Sequence, residues 1–210
     1  MKKVISIMTV AVVVTTAAWA QGFALSAGGG GLLAGDFTGG VKGDGYSVTY
    51  PYFGGGGFAY FDATYAEVSV GFFVGGGDMV MKGGGTEEKK PWTLSSLNLG
   101  LLGKYPIALS DALTLFPAVG IEYQVVLSAK VDGETVKNKG GDDAAGDFSA
   151  LWIKAGVGLD VQLTSKLYFR GEALFGVRLA NKFEKDRAEG DIKTKLGLGP
   201  TVKLGVGYKF

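Results

Sequence analysis

The last stretch of the chain alternates without a break. Leu196, Leu198, Pro200, Val202, Leu204, Val206, Tyr208 and Phe210 share one parity, and Lys195, Gly197, Gly199, Thr201, Lys203, Gly205, Gly207 and Lys209 share the other. A period of two places successive side chains on opposite faces of a strand and is incompatible with a helix. From Gln21 onward the pattern recurs in about eight segments, near Phe23–Gly35, Ser47–Phe61, Ala63–Val74, Leu97–Tyr105, Leu113–Leu127, Phe148–Leu163, Leu167–Leu179 and Lys193–Phe210. A tilted strand needs ~9–11 residues to cross a bilayer, and segments of this length with one apolar and one small or charged face suit that task.

The connections alternate between long and short. Asp36–Tyr46, Gly75–Pro91, Ala129–Asp147 and Asn181–Asp191 are long, polar and rich in Gly, Lys, Glu or Asp, and read as solvated loops. Asp62, Pro106–Asp111 and Thr164-Ser165 read as tight turns. This order places the long loops at one end and both termini at the other. Pro117 and Pro200 fall inside strand segments, where a missing N–H predicts bulges or opened pairings. Phe23, Tyr60, Phe61, Tyr65, Tyr105, Tyr168, Tyr208 and Phe210 gather near one rim, and Tyr50, Tyr52, Trp92, Phe148 and Trp152 near the other. Such clustering predicts interfacial girdles.

The first residues stand outside this pattern. Lys2 and Lys3 precede an apolar run from Val4 to Val14, and Ala18-Trp19-Ala20 ends before Gln21. That is the plan of a secretory signal peptide, so residues 1–20 are read as a leader and 21–210 as one barrel domain. Cleavage would leave 19 basic against 20 acidic residues, a net charge of −1 that argues against nucleic acid as partner. Cys is 0, which excludes disulfides and thiolate metal sites. His is also 0, which removes imidazole bases, histidine zinc sites and histidine pH switches. Asp142, Asp143 and Asp147 lack the spacing of a calcium loop. No catalytic residue, metal or cofactor is therefore expected.

An alternating last strand ending Gly-Tyr-Lys-Phe, with Tyr208 and Phe210 on its apolar face, resembles the sorting signal of bacterial outer-membrane β-barrels. With the leader and the staves, the mature chain resembles the small eight-stranded barrels, namely the OmpA transmembrane domain, OmpX and OmpW. The loop compositions also resemble those of spirochaetal outer-membrane proteins. The resemblance implies an all-β, eight-stranded antiparallel up-and-down transmembrane β-barrel in the outer membrane, with periplasmic termini and extracellular long loops. Outer-membrane lipid and the β-barrel assembly machinery would be its partners. Barrel enzymes of that membrane, the phospholipase, palmitoyltransferase and omptin-type protease, use a catalytic His that this chain lacks, so it is not expected to be an enzyme. A soluble barrel with its apolar face inward is the alternative architecture.

Counting each stave from the terminal end pairs Glu122 with Lys154, Asp160 with Arg170, and Glu172 with Lys203, with Glu67 low on the third stave and Arg178 high on the seventh. An interior of about eight strands is filled by side chains, so these charges read as a lumen plug, with a transport role as the alternative. Gly28, Gly29, Gly30 and Gly31 should face Gly54, Gly55, Gly56 and Gly57, forming a glycine wall. The wall either permits tight curvature or lets a small apolar molecule pass sideways. Two functions remain open: a narrow conduit or binding site for small hydrophobic compounds, as OmpW resemblance implies, or loop-mediated adhesion to an extracellular partner, as OmpX resemblance implies. A purely structural role is the fallback.

Overall fold

The structure, a computed structural model, describes residues 24–43, 45–138, 141–186 and 192–210. The leader read at 1–20, Phe23 and Lys139 lie outside them. Eight strands close into a ring: β1 (Leu25–Asp36), β4 (Tyr52–Ala63), β5 (Ala66–Gly83), β6 (Thr86–Lys104), β8 (Leu113–Val131), β10 (Ala150–Gln162), β11 (Leu167–Arg178) and β13 (Gly197–Lys209). Each pairs antiparallel with the next, and β13 returns to β1. Closure leaves no strand edge facing lipid. The parity of the staves decides the faces. Val68, Val70, Phe72 and Val74 on β5, and Val202, Leu204 and Val206 on β13, are exposed, while Glu67, Ser69 and Lys203 are buried. The barrel is thus apolar outside and polar inside, the reverse of a soluble one.

Three staves are longer than the membrane requires, and this corrects the loop assignments. β5 and β6 run on to Gly83 opposite Thr86, so Gly75–Pro91 is a protruding hairpin rather than a solvated loop. Its turn residues Gly84 and Gly85 both adopt positive φ, which glycine accepts at no steric cost. Lys82 and Glu87 pair across its outer face at 2.7 Å, while Met79 and Met81 point inward. The charges masked this second alternation. Similarly, β8 runs to Val131, turns through Asp132 and Gly133, and returns as β9 (Glu134–Thr135).

The second stave begins at Tyr52, not Ser47, because Ser47 belongs to β3 (Tyr46–Thr49), which forms a hairpin with β2 (Gly40–Gly43) and pairs with the β5 overhang. Asp36–Tyr46 is therefore largely strand. Lys193–Phe210 is also interrupted. β12 (Lys193–Lys195) pairs with β2, and the ring strand starts at Gly197, where a Cβ would collide with Asp36 and Arg178. Asp62 is the penultimate residue of β4, and the turn lies at Thr64-Tyr65. The Pro106–Asp111 turn contains β7 (Ile107–Ser110), and the sixth stave starts at Ala150 rather than Phe148. Asn181–Asp191 carries the one-turn helix α1 (Lys182–Lys185), closed by a capping box in which Asn181 and Glu184 each accept the other's backbone N–H.

Neither proline makes a bulge. Pro117 sits opposite Val157 in unshifted register, and its carbonyl accepts the Tyr105 N–H at 3.1 Å, so its nitrogen looks past the end of the β6 ladder. Pro200 lies one residue beyond the last β1 partner, Thr201. The ring's register shifts between Ser95 and Ser96, where Leu127 on β8 is the extra residue between their partners Ser128 and Val126. The girdle reading also needs correction. Tyr65, Tyr105, Tyr208 and Phe210 are exposed, but Tyr50, Tyr52, Tyr60, Trp92, Phe148, Trp152 and Tyr168 are buried inside the barrel and its mouth. On the staves the inward parity, not the height, decides this.

Candidate functional site

The interior is layered. Nearest the terminal rim, Arg170 is the hub. Its Nε and Nη2 donate to the two Asp160 oxygens at 2.7 Å each, its Nη1 donates to Glu67 at 2.7 Å, and its Nη2 lies 2.7 Å from Asp62. Bidentate geometry of this kind fixes a guanidinium in place. Lys104 pairs with Asp62 from the other side. The rings of Tyr60, Phe116 and Tyr168 surround the guanidinium at 4.7, 5.0 and 5.2 Å. Each ring lies over a glycine directly opposite on the next strand: Tyr60 on Gly28, Phe116 on Gly158, Tyr168 on Gly207. Those three glycines make room for the aromatic layer, since a Cβ at any of them would meet ring carbons at 2.1–2.5 Å.

One layer up, Lys203 sits between Glu172 at 3.3 Å and Glu67 at 3.7 Å, and Lys154 donates to Glu122 at 2.7 Å and Thr201 at 2.9 Å. Above these lies an uncharged network: Tyr52 and Trp152 both donate to the Gln124 carbonyl oxygen at 3.2 Å, and Gln124 donates to Ser96 at 3.3 Å. The space among Tyr52, Phe73, Glu122, Gln124 and Lys154 is about 10 Å³, room for about one water.

The mouth is closed differently. Arg178 donates to Asp36 at 2.6 Å and to Glu184 at 2.8 and 3.2 Å, and the Tyr50 hydroxyl donates to Glu184. Burial pushes the Tyr50 hydroxyl above the ordinary tyrosine range, keeping it a donor. Glu184 thereby ties α1 to the barrel. Phe183 beside it stacks on Phe148 at 4.2 Å, and Tyr50 meets Trp92, Phe148 and Phe183 edge-on. At the side of this apolar core, a recess of about 360 Å³ is lined by Met79, Met81, Val131, Val136 and Phe183, with Lys90, Asp132 and Glu134 at its polar positions.

The structure thus brings Glu67, Glu122, Lys154, Asp160, Arg170, Glu172 and Lys203 into the lumen core. Asp36, Asp62, Lys104 and Glu184 join the buried ion pairs although sequence reasoning placed them in turns, loops or no site. The two glycine runs do not lie side by side as expected. Only Gly31 faces Gly57, while Gly28 faces Tyr60, Gly29 faces Ala59, Gly30 faces Phe58, and Gly54, Gly55 and Gly56 face Ala34, Leu33 and Leu32. A Cβ at Gly30, Gly54 or Gly56 would lie 1.8–2.1 Å from a carbonyl oxygen of the neighbouring strand, so these positions serve close backbone approach. Tyr208 and Phe210 are exposed on the outer face, with their rings 5.7 Å apart, and Lys166 donates to the Tyr208 hydroxyl at 3.0 Å. Asp142, Asp143 and Asp147 do not converge: Asp143 accepts the Ala145 N–H and Asp147 pairs with the Lys182 ammonium. Among the described residues no group could hold a metal ion.

A closed eight-stranded ring with an apolar belt and a packed polar lumen defines a small outer-membrane β-barrel. The solved structure of the outer membrane protein OprG from Pseudomonas aeruginosa is similar in fold, with a TM-score of 0.50 at 16% identity over 90% of this chain and 96% of OprG. Ail, the attachment invasion locus protein of Yersinia pestis, solved with the heparin analogue sucrose octasulfate, aligns more loosely, with a TM-score of 0.40 at 16% identity over 89% of this chain and 99% of Ail. No family model and no curated protein sequence matches the chain.

Proposed function

We propose that this outer-membrane barrel binds small apolar compounds at its loop-end mouth and is not an open conduit. The observation that carries this reading is the recess of about 360 Å³ lined by Met79, Met81, Val131, Val136 and Phe183. Its size falls within the usual range for small-molecule sites, and flexible thioethers adapt to ligands of differing shape. The packed lumen supports binding over conduction, because the space between its charged and uncharged layers holds about one water. In this reading the long loops face outside and the termini face the periplasm. The apolar belt contacts outer-membrane lipid, and Tyr208 and Phe210 address the assembly machinery.

The test uses refolded protein in lipid nanodiscs with bromonaphthalene as an apolar quencher of Trp92, which packs in the core beside the recess. A saturable quenching component is expected, weakened about tenfold or more by Met81→Glu, a loss of ~1.4 kcal/mol. Quenching that does not saturate, or that Met81→Glu leaves unchanged, sinks the reading. A second reading, adhesion to an extracellular partner, is favoured by the exposed charges of the hairpin tip, Lys82 and Glu87 to Lys89. Loss of cell-surface partner binding on trimming residues 82–89, with quenching retained, would favour it.

A further inference from the structure

The ion network near the terminal rim does not balance. Asp62, Glu67, Asp160 and Glu172 are linked through Lys104, Arg170 and Lys203, so with every group ionised one negative charge is left over. Lys154 is taken by Glu122, and Lys209 stands at the terminal rim, bonded to Gln162. The shortfall has a location. Glu67 and Glu172 are at most 3% exposed, and both carboxyls stand against the same ammonium, that of Lys203. Glu67 takes the Arg170 guanidinium on Oε2, but its Oε1 and both Glu172 oxygens make no hydrogen bond, the Lys203 ammonium standing off at 3.7 and 3.3 Å. Buried carboxylate oxygens without a hydrogen bond are costly, and two acceptors beside one cation lack the one particle that would join them.

We propose that Glu67 and Glu172 form a carboxyl pair that holds one proton between them, a proton-binding site inside the barrel. The proton turns one carboxyl into a donor to the other and brings the network to neutrality. Charges face or neighbour the pair from every stave that supplies a titratable group at this level: Asp62 on β4, Lys104 on β6, Glu122 on β8, Lys154 and Asp160 on β10, Arg170 on β11 and Lys203 on β13. On β1 the inward positions there are Gly28, Gly30 and Leu32.

The site couples folding to pH with a definite sign. A carboxyl that keeps its proton in the barrel but ionises in the unfolded chain releases that proton on unfolding. Above the ordinary glutamate value of about 4.3, and until the pair itself deprotonates, the unfolding constant should therefore rise about tenfold per pH unit from this site. Infrared spectra of the folded wild type near neutral pH should show a buried carboxylic acid C=O stretch that vanishes in Glu67→Gln and in Glu172→Gln, because either amide donates to the remaining carboxylate. In urea unfolding, the pH slope of the wild type should exceed that of Glu172→Gln by one proton. Absence of the acid band in wild type, its survival in both variants, or equal slopes would overturn the proposal, and would fit ordered waters donating to these oxygens instead. The wild-type spectrum decides even if a variant fails to fold.

Discussion

The two ends of the lumen are closed by opposite chemistry. Near the terminal rim the filling is ionic: Arg170 meets three carboxylates and three rings within a few ångströms. At the loop end it is mostly apolar, built on Tyr50, Trp92, Phe148 and Phe183, with one buried cation, Arg178, tied to Asp36 and Glu184. The terminal end sits within the ring itself, where the inward parity of membrane staves is polar and every charge needs a partner. The mouth sits where β5, β6 and β8 outrun the other staves, so their inward faces form a conventional hydrophobic core beyond the ring. Ionic filling is unforgiving of single deletions, and the apolar mouth can open locally.

The largest expected effect tests the ionic end. Arg170→Met leaves Asp62, Glu67 and Asp160 without their shared cation and should destabilise the barrel by ~3–5 kcal/mol in urea unfolding. A loss under ~1 kcal/mol would mean that the network rearranges freely. Next comes the backbone of the ring. Gly56→Ala puts a Cβ 1.8 Å from the Phe72 carbonyl oxygen, whereas at Gly57 the nearest atom is 3.6 Å away. The first should cost ~1–3 kcal/mol and the second little, and equal costs would remove the close-approach argument. Glu184→Ala tests the mouth. It strips Tyr50, Asn181 and Arg178 of an acceptor, costs ~1–3 kcal/mol locally, and should raise hydrogen exchange in α1 while the ring amides stay protected. Ring exchange rising in step would show that the two ends are one cooperative unit. The smallest effect belongs to Lys82→Ala on the exposed hairpin, where loss of the Glu87 pair should leave the melting temperature unchanged within error.

The partial legibility of the site follows from geometry. Glu122 with Lys154 and Asp160 with Arg170 lie on adjacent strands within a residue or two of direct register, so counting heights along alternating staves was enough to pair them. Asp62 and Lys104 were missed because they occupy the last residues of their strands, where a polar side chain looks the same as a turn residue. Asp36 and Glu184 were missed because their partner, Arg178, lies 142 residues from the first and only through tertiary packing meets the second. The aromatic layer carried a signal that could have been read: Tyr60, Phe116 and Tyr168 share the inward parity of the charges, and inward rings cannot form a lipid girdle.

Sequence by itself determined the stave count and which residues of each stave share a face, because a period of two is a local property and one residue of slip would move every apolar side chain to the other face; which of the two faces turns outward was decided by the closed ring. Tertiary structure decided which strands overhang, which glycines lie under a ring or a neighbouring backbone, and which carboxyls share a cation or lack one. Those outcomes depend on register and on strand curvature. Both are set only when the ring closes and each strand must satisfy two neighbours at once.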